Sequence, residues 1–69
     1  MAVATSPQIE TKNLKTIADQ LNYESLMNKK FKLYSEYCTD PQLKSLCNEA
    51  CCTHKDNFNR LKTYLDSHQ

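Results

Sequence analysis

The sequence predicts an all-α fold in which two long helices fold back on each other as an antiparallel hairpin. Helix-forming residues dominate, and the 69-residue chain contains no glycine and two prolines. β-Hairpins and β-sandwiches depend on the turn residues that are missing here. Apolar residues recur at steps of three and four on both sides of one central break, Thr39-Asp40-Pro41, and this spacing is typical of helical seams.

The first helix is predicted over about residues 7–38, after a disordered N-terminus at residues 1–6. Ser6-Pro7 offers one start, and Thr11 offers a second possible cap. The seam of this helix consists of Leu14, Ile17, Leu21, Glu24, Asn28, Phe31, Ser35 and Cys38. A second arc beside the seam contains Tyr23, Met27, Tyr34 and Tyr37. A helix in a two-helix hairpin needs only one apolar face to pack against its partner helix. The second arc therefore requires a further helix to pack against.

The second helix is predicted over about residues 41–67, so the hairpin domain covers residues 7–69. Asp40 is the predicted N-cap, and Pro41 fits the first helical position, where its missing N–H is no loss. The seam of this helix consists of Leu43, Cys47, Ala50, His54, Phe58, Leu61 and Leu65. It is widened by Leu46, Tyr64 and Cys51.

The apolar surface of these helices exceeds what a hairpin can bury by itself. Each helix is ~40 Å long at about 1.5 Å per residue, and much of both seams would stay exposed. A chain this short buries too little apolar surface unless a partner, a metal or a disulfide helps. A two-fold dimer would cover the remainder as a four-helix bundle. We therefore expect a homodimer.

Charge and hydropathy exclude several classes of function. Nine basic and eight acidic side chains give a net charge of +1, without the basic excess of a nucleic-acid-binding protein. The N-terminus lacks the features of a signal peptide, and no stretch approaches the ~20 apolar residues of a membrane span. We expect an intracellular protein that binds neither nucleic acid nor membrane. Its four cysteines are then thiols or metal ligands rather than structural bridges.

Polar residues within the apolar seams are the candidate site. Counted from the bend, Glu24 lies level with His54 or Lys55, and Cys51 lies three residues before His54. A carboxylate and an imidazole at one level of a bundle occur in carboxylate-bridged metal sites, and thiolate with imidazole suits zinc better than a di-iron centre. The other interpretation is that Glu24 and His54 form an ion pair that fixes helix register without a metal. Glu24, Cys51 and His54 are the predicted metal ligands under the first interpretation.

The remaining cysteines have separate interpretations. Cys47 and Cys51 are four residues apart and could share a metal, although such cysteines are more often small core residues. Cys52 points away from the seam and is a candidate reactive thiol. Cys38 lies near the bend and Cys47 well along the second helix, so a bridge between them is not expected on distance.

The sequence offers no catalytic constellation. It contains no glycine-rich loop for phosphates, and no Ser-His-Asp or Cys-His-Asn set can be placed. We therefore predict no catalytic residue and no enzymatic activity. No cofactor is expected apart from zinc or iron under the metal interpretation.

Several segments together resemble a known family. They are Tyr23-Glu24-Ser-Leu-Met-Asn-Lys-Lys, Tyr34, Asp40-Pro41-Gln-Leu43, Asn48-Glu49, His54, Phe58 and Leu61. In this order they resemble the spore coat F-like proteins of the ferritin-like class, over about residues 14–65. The chain departs from that family in lacking a lysine directly after Glu24 and a tail of glycine and aromatic residues, and in carrying four cysteines.

The resemblance implies a ferritin-like bundle with a structural role in the spore coat, where other coat proteins would be partners. Glu24, Glu49 and His54 match the family positions. The first functional hypothesis is a coat or coat-associated homodimer without chemistry of its own. The alternative is a small metal-binding or redox protein with a Glu/His/Cys core site. A third hypothesis is a thiol sensor that uses Cys52.

Overall fold

The structure is a computed structural model that describes residues 9–68, and it consists of two α-helices. α1 spans Thr11–Tyr37 and α2 spans Pro41–Ser67, each 27 residues long. Residues 38–40 connect the helices and reverse the chain, and α1 and α2 pack against each other. The predicted all-α class and the packing of two helices are therefore confirmed.

The start of α1 is later than the first of the two predicted positions. Ile9 and Glu10 precede the helix, which opens at Thr11. Glu10 takes the N-cap position with extended backbone, but its side chain makes no capping hydrogen bond. The predicted start at Pro7 and the disordered segment predicted at residues 1–6 lie outside the described residues.

The bend is built by the residues that the sequence indicated. α1 ends one residue before the predicted Cys38, because Cys38 has an extended backbone with ψ of 131°. Asp40 caps α2: its Oδ1 accepts the backbone N–H of Gln42 at 2.8 Å and that of Leu43 at 3.0 Å. Pro41 occupies the first turn, where no N–H is needed. The cap satisfies two N–H groups that would otherwise lack a partner, and so fixes where α2 begins.

The two helices bury very little between them. In the part of the chain that the structure describes, the buried side chains are Glu24, Ser35 and Cys47, and no side chain is completely buried. Two of these three are polar, so the centre of the hairpin is held by specific polar contacts rather than by a large apolar core. The positions of those contacts define the candidate site.

Candidate functional site

The centre of the site is a hydrogen bond between the two helices. Nδ1 of His54, on α2, lies 2.8 Å from Oε2 of Glu24, on α1, and the two side chains are 18% and 8% exposed. An ionised carboxylate can only accept hydrogen bonds, so Nδ1 is the donor. This geometry agrees with the prediction that Glu24 and His54 lie at the same height along the two helices. The pair favours one register of the antiparallel helices, because sliding one helix along the other would leave both groups without their hydrogen-bond partner.

Two aromatic rings hold the imidazole in place. Phe31 of α1 stacks on His54 with the ring centroids 5.6 Å apart and the planes 6° apart. Tyr23 meets the same imidazole edge-on, with a centroid distance of 6.0 Å and an interplanar angle of 81°. The rings fix the plane of the imidazole and so direct Nδ1 at Glu24. They also reduce the access of water, which strengthens the hydrogen bond.

A second polar contact lies one helical turn closer to the bend. Asn28 of α1 donates from Nδ2 to the backbone oxygen of Cys51 at 2.8 Å and contacts the Cys51 Sγ at 3.1 Å. The amide has two N–H donors, so it can serve both atoms. Asn28 belongs to the predicted seam of the first helix, but this role was not predicted from the sequence. A polar residue within an apolar seam was the available signal.

The predicted metal ligands are divided between these two contacts. Glu24 and His54 meet each other, whereas Cys51 is engaged by Asn28. Within residues 9–68, no three His, Cys, Asp or Glu side chains gather closely enough to hold a metal ion. The single hairpin therefore supplies two of the three proposed ligands at one place, and metal binding stays a prediction.

The cysteines are the other candidate residues that the sequence indicated. Cys38 and Cys47 are neighbours near the bend, and no bridge joins them, as expected. All four cysteines are free thiols, and Cys52 is exposed as predicted. Burial raises the pKa of the Cys47 thiol, and the hydrogen bond and charge of the neighbouring Cys38 raise the pKa further. The raised pKa makes the Cys47 thiol less ready to form a thiolate than an ordinary cysteine.

The register accounts for the position of these two cysteines near each other at the bend. Cys38 lies seven residues after Phe31, and Cys47 lies seven residues before His54. Seven residues are about two helical turns, so in antiparallel helices both steps lead to the same level nearer the bend. Cys38 and Cys47 therefore lie about two helical turns nearer the bend than Phe31 and His54. Levels counted from the bend alone do not contain this offset.

A groove runs beside the central pair and leaves one side of the hairpin open. Its lining combines both helices and consists of Gln20, Glu24, Asn57, Arg60, Leu61 and Tyr64. Nine large apolar side chains are exposed on the described surface, and Tyr64 of the groove is one of them; the others are Leu14, Tyr23, Leu26, Leu33, Tyr34, Tyr37, Leu43 and Leu46. The second arc predicted on helix one is therefore largely uncovered in the single hairpin.

The arrangement defines a helical hairpin with a part-buried acid–imidazole pair between its helices. Over the described residues, neither helix combines the length and the apolar character that a membrane crossing requires. Comparisons with protein-family models, curated proteins and solved structures gave no match to this chain. The resemblance to spore coat F-like proteins therefore stays a prediction from the sequence.

Proposed function

We propose that this protein is a structural interaction protein without catalytic activity, which acts as a homodimer in the spore coat or in association with it. The observation that carries the proposal is the amount of apolar surface that the hairpin leaves uncovered. Nine large apolar side chains of the described part are exposed, and Tyr37 is the most exposed of them at 73%. Exposed apolar surface of this extent marks an interaction site.

The groove indicates which side of the hairpin would face a second copy. Residues seven positions apart lie on the same side of a helix. The side of α1 that carries Gln20 in the groove therefore also carries Met27 and Tyr34. On α2 the same steps lead from Tyr64 toward the bend, through Asn57 and Ala50, to Leu43. We call this side the groove face; its members are Gln20, Met27, Tyr34, Leu43, Ala50, Asn57 and Tyr64. It is polar at the far end and apolar near the bend.

Two-fold pairing through the groove face would give a four-helix bundle of the kind expected. A two-fold interface uses the same patch on both copies, and the groove face supplies apolar side chains from both helices. The dimer would also close the groove beside Glu24 and so shield the Glu24–His54 pair from water. In this role the pair sets helix register, as buried polar groups do in other helical assemblies.

The assignment to the spore coat has separate support. It comes from the resemblance of residues 14–65 to the spore coat F-like proteins, which implies a ferritin-like bundle and other coat proteins as partners. The two-helix architecture agrees with half of such a bundle. No part of the proposal requires a bound group or a reaction.

A charge placed in the groove face tests the dimer. Leu43 is 50% exposed and occupies the third position of α2, where glutamate forms a favourable capping box with the N-cap. Leu43→Glu should therefore preserve the helix while it introduces two buried like charges into the dimer. Sedimentation equilibrium should show a dimer dissociation constant raised at least about tenfold, which corresponds to about 1.4 kcal/mol of lost association free energy.

The matched control introduces the same residue on the opposite side. Asn59 is exposed and lies with Ser25, Asn28, Lys55 and Phe58 around a second groove. Asn59→Glu should leave the dimer affinity unchanged. Equal weakening by both variants, or by neither, would count against the groove face as the interface.

The second candidate function is metal binding, and one observation favours it. A carboxylate and an imidazole already meet at 2.8 Å within the hairpin, and a two-fold dimer would duplicate them. Zinc or iron would be the metal, with Glu24 and His54 as ligands and Cys51 after a rearrangement away from Asn28. Elemental analysis of protein purified without chelator distinguishes the two candidates. Stoichiometric metal, lost in His54→Ala, would favour this second function.

A further inference from the structure

α1 carries a second stripe of mainly apolar residues outside the seam that packs on α2. Its members follow one another at alternating steps of three and four residues, the spacing of a helix that packs against another helix. We call it the outer stripe; its members are Tyr23, Leu26, Lys30, Leu33 and Tyr37. The four apolar members are between 43% and 73% exposed, so α2 leaves much of the stripe uncovered.

The middle member of the outer stripe is a lysine without a counter-ion on its own helix. The side chains within reach of Lys30 along α1 are those three and four positions away. They are Leu26, Met27, Leu33 and Tyr34, and none is acidic. Lys15 and Lys62 each pair with an aspartate four residues further on, whereas Lys30 takes part in none of the ion pairs within residues 9–68. The ammonium group of Lys30 can therefore bind a carboxylate from outside the hairpin.

The position of Lys30 argues against a second copy of this chain as the occupant. Lys30 lies seven residues from Tyr23 and seven from Tyr37, so a two-fold pairing that uses the whole stripe places Lys30 opposite Lys30, whether the helices run parallel or antiparallel. Like charges that face each other across an interface weaken association.

The outer side of α2 in a second copy is not a match either. At the same three-and-four spacing it carries Ser45, Glu49, Cys52, Asp56 and Asn59. This set offers carboxylates but no large apolar side chain, so it would leave the leucines and tyrosines of the outer stripe without apolar contacts.

We propose that the outer stripe binds an amphipathic helix of a different protein, with apolar side chains spaced by three and four residues and an aspartate or glutamate opposite Lys30. The stripe is about 21 Å long at about 1.5 Å per residue, which suits a helix of a few turns. Apolar burial would supply affinity, and the carboxylate would select the partner and its register. The inference does not rest on the homodimer, because no member of the outer stripe belongs to the groove face.

A lipid surface fits the outer stripe less well than a helix does. A helix that lies on a membrane needs a broad apolar face. The outer stripe is bordered on one side by the polar residues Asn22, Lys29 and Glu36. A partner helix needs only the narrow stripe itself.

Two designed peptides test the proposal on the full chain. The probe is a fluorescein-labelled amphipathic peptide of about three heptads, with leucines at steps of three and four and one glutamate in place of the central leucine. Its matched control has lysine in place of that glutamate. Fluorescence anisotropy, with the peptide at nanomolar concentration, should show saturable binding of the glutamate peptide. The Kd of the lysine peptide should be at least about tenfold higher.

Variants of the protein assign the binding to the outer stripe. Lys30→Glu should reverse the preference, so that the lysine peptide binds at least about tenfold more tightly than the glutamate peptide. Lys44→Glu makes the same change of charge on α2 and should keep the original preference. Leu33→Ala should raise the Kd of both peptides at least about fivefold. Leu43→Glu should bind the glutamate peptide with unchanged Kd, so a failure of the homodimer and a failure of this inference are distinguishable.

Three results would overturn the proposal. They are no saturable binding of either peptide, a peptide preference that Lys30→Glu leaves unchanged, and saturable binding only to vesicles of phosphatidylcholine with phosphatidylglycerol. A reversed preference cannot arise from a variant that fails to fold, because an unfolded chain would lose both peptides.

Discussion

The Glu24–His54 pair should make a measurable and specific contribution to the free energy of unfolding. Its hydrogen bond is 2.8 Å long and both side chains are largely shielded from water. A hydrogen bond that involves a charged group is worth about 1.5–3 kcal/mol. A folded chain of 69 residues has a total stability of only about 0.05–0.15 kcal/mol per residue, so this single contact is a large share of the whole.

A double-mutant cycle isolates the pair. Glu24→Ala should cost about 2–3 kcal/mol, because it leaves the His54 donor without its acceptor. His54→Ala should cost about 3–5 kcal/mol, because it also removes the contacts with Phe31 and Tyr23, and each aromatic pair is worth about 0.5–1.5 kcal/mol. The coupling energy between the two sites should be about 1.5–3 kcal/mol, within the range for residues in contact.

Urea unfolding followed by circular dichroism at 222 nm measures these values at one fixed protein concentration. The concentration must stay fixed because the stability of a dimer depends on it. Glu24→Gln is the matched variant: its amide oxygen still accepts from Nδ1, so its cost should be about 1 kcal/mol or less. A coupling energy below about 0.5 kcal/mol would mean that the pair does not fix the register.

Three further perturbations follow from individual contacts. Asp40→Ala should lower the free energy of unfolding by about 1 kcal/mol and Asp40→Asn by clearly less, since asparagine also caps; equal losses in urea unfolding would contradict the cap. Asn28→Ala should cost about 1–2 kcal/mol and speed the alkylation of Cys51, whose sulfur it contacts; an unchanged alkylation rate would argue against that contact. Cys47 should be alkylated more slowly than Cys52 near pH 8, because the raised pKa of Cys47 lowers its thiolate fraction. The difference between the two alkylation rates should become smaller as the pH rises. A rate difference that does not change with pH would be due to solvent access alone.

The fold could be predicted from the sequence because its signals are local. Asp40-Pro41 specifies a helix start through the geometry of two consecutive residues, and the cap forms as expected. The start of α1 has no comparable signal. Glu10 makes no capping hydrogen bond, so no side chain marks that boundary and helix propensity alone left two positions open.

The candidate site could be predicted only in part, because contacts between helices depend on register and rotation as well as on level. Glu24 and His54 were found because both interrupt an apolar seam at the same distance from the bend. The stack of Phe31 on His54 needs a further offset along the helices. That offset is set by side-chain packing, which the spacing of residues in the sequence does not contain.

The molar mass of the intact protein in solution tests the central claim most directly. Native mass spectrometry at micromolar concentration, on protein purified without chelator, reports the oligomeric state and any bound metal in the same sample. We predict a species of twice the 8.0 kDa chain mass without stoichiometric metal. A single 8.0 kDa chain that is compact and melts cooperatively would contradict the proposed homodimer.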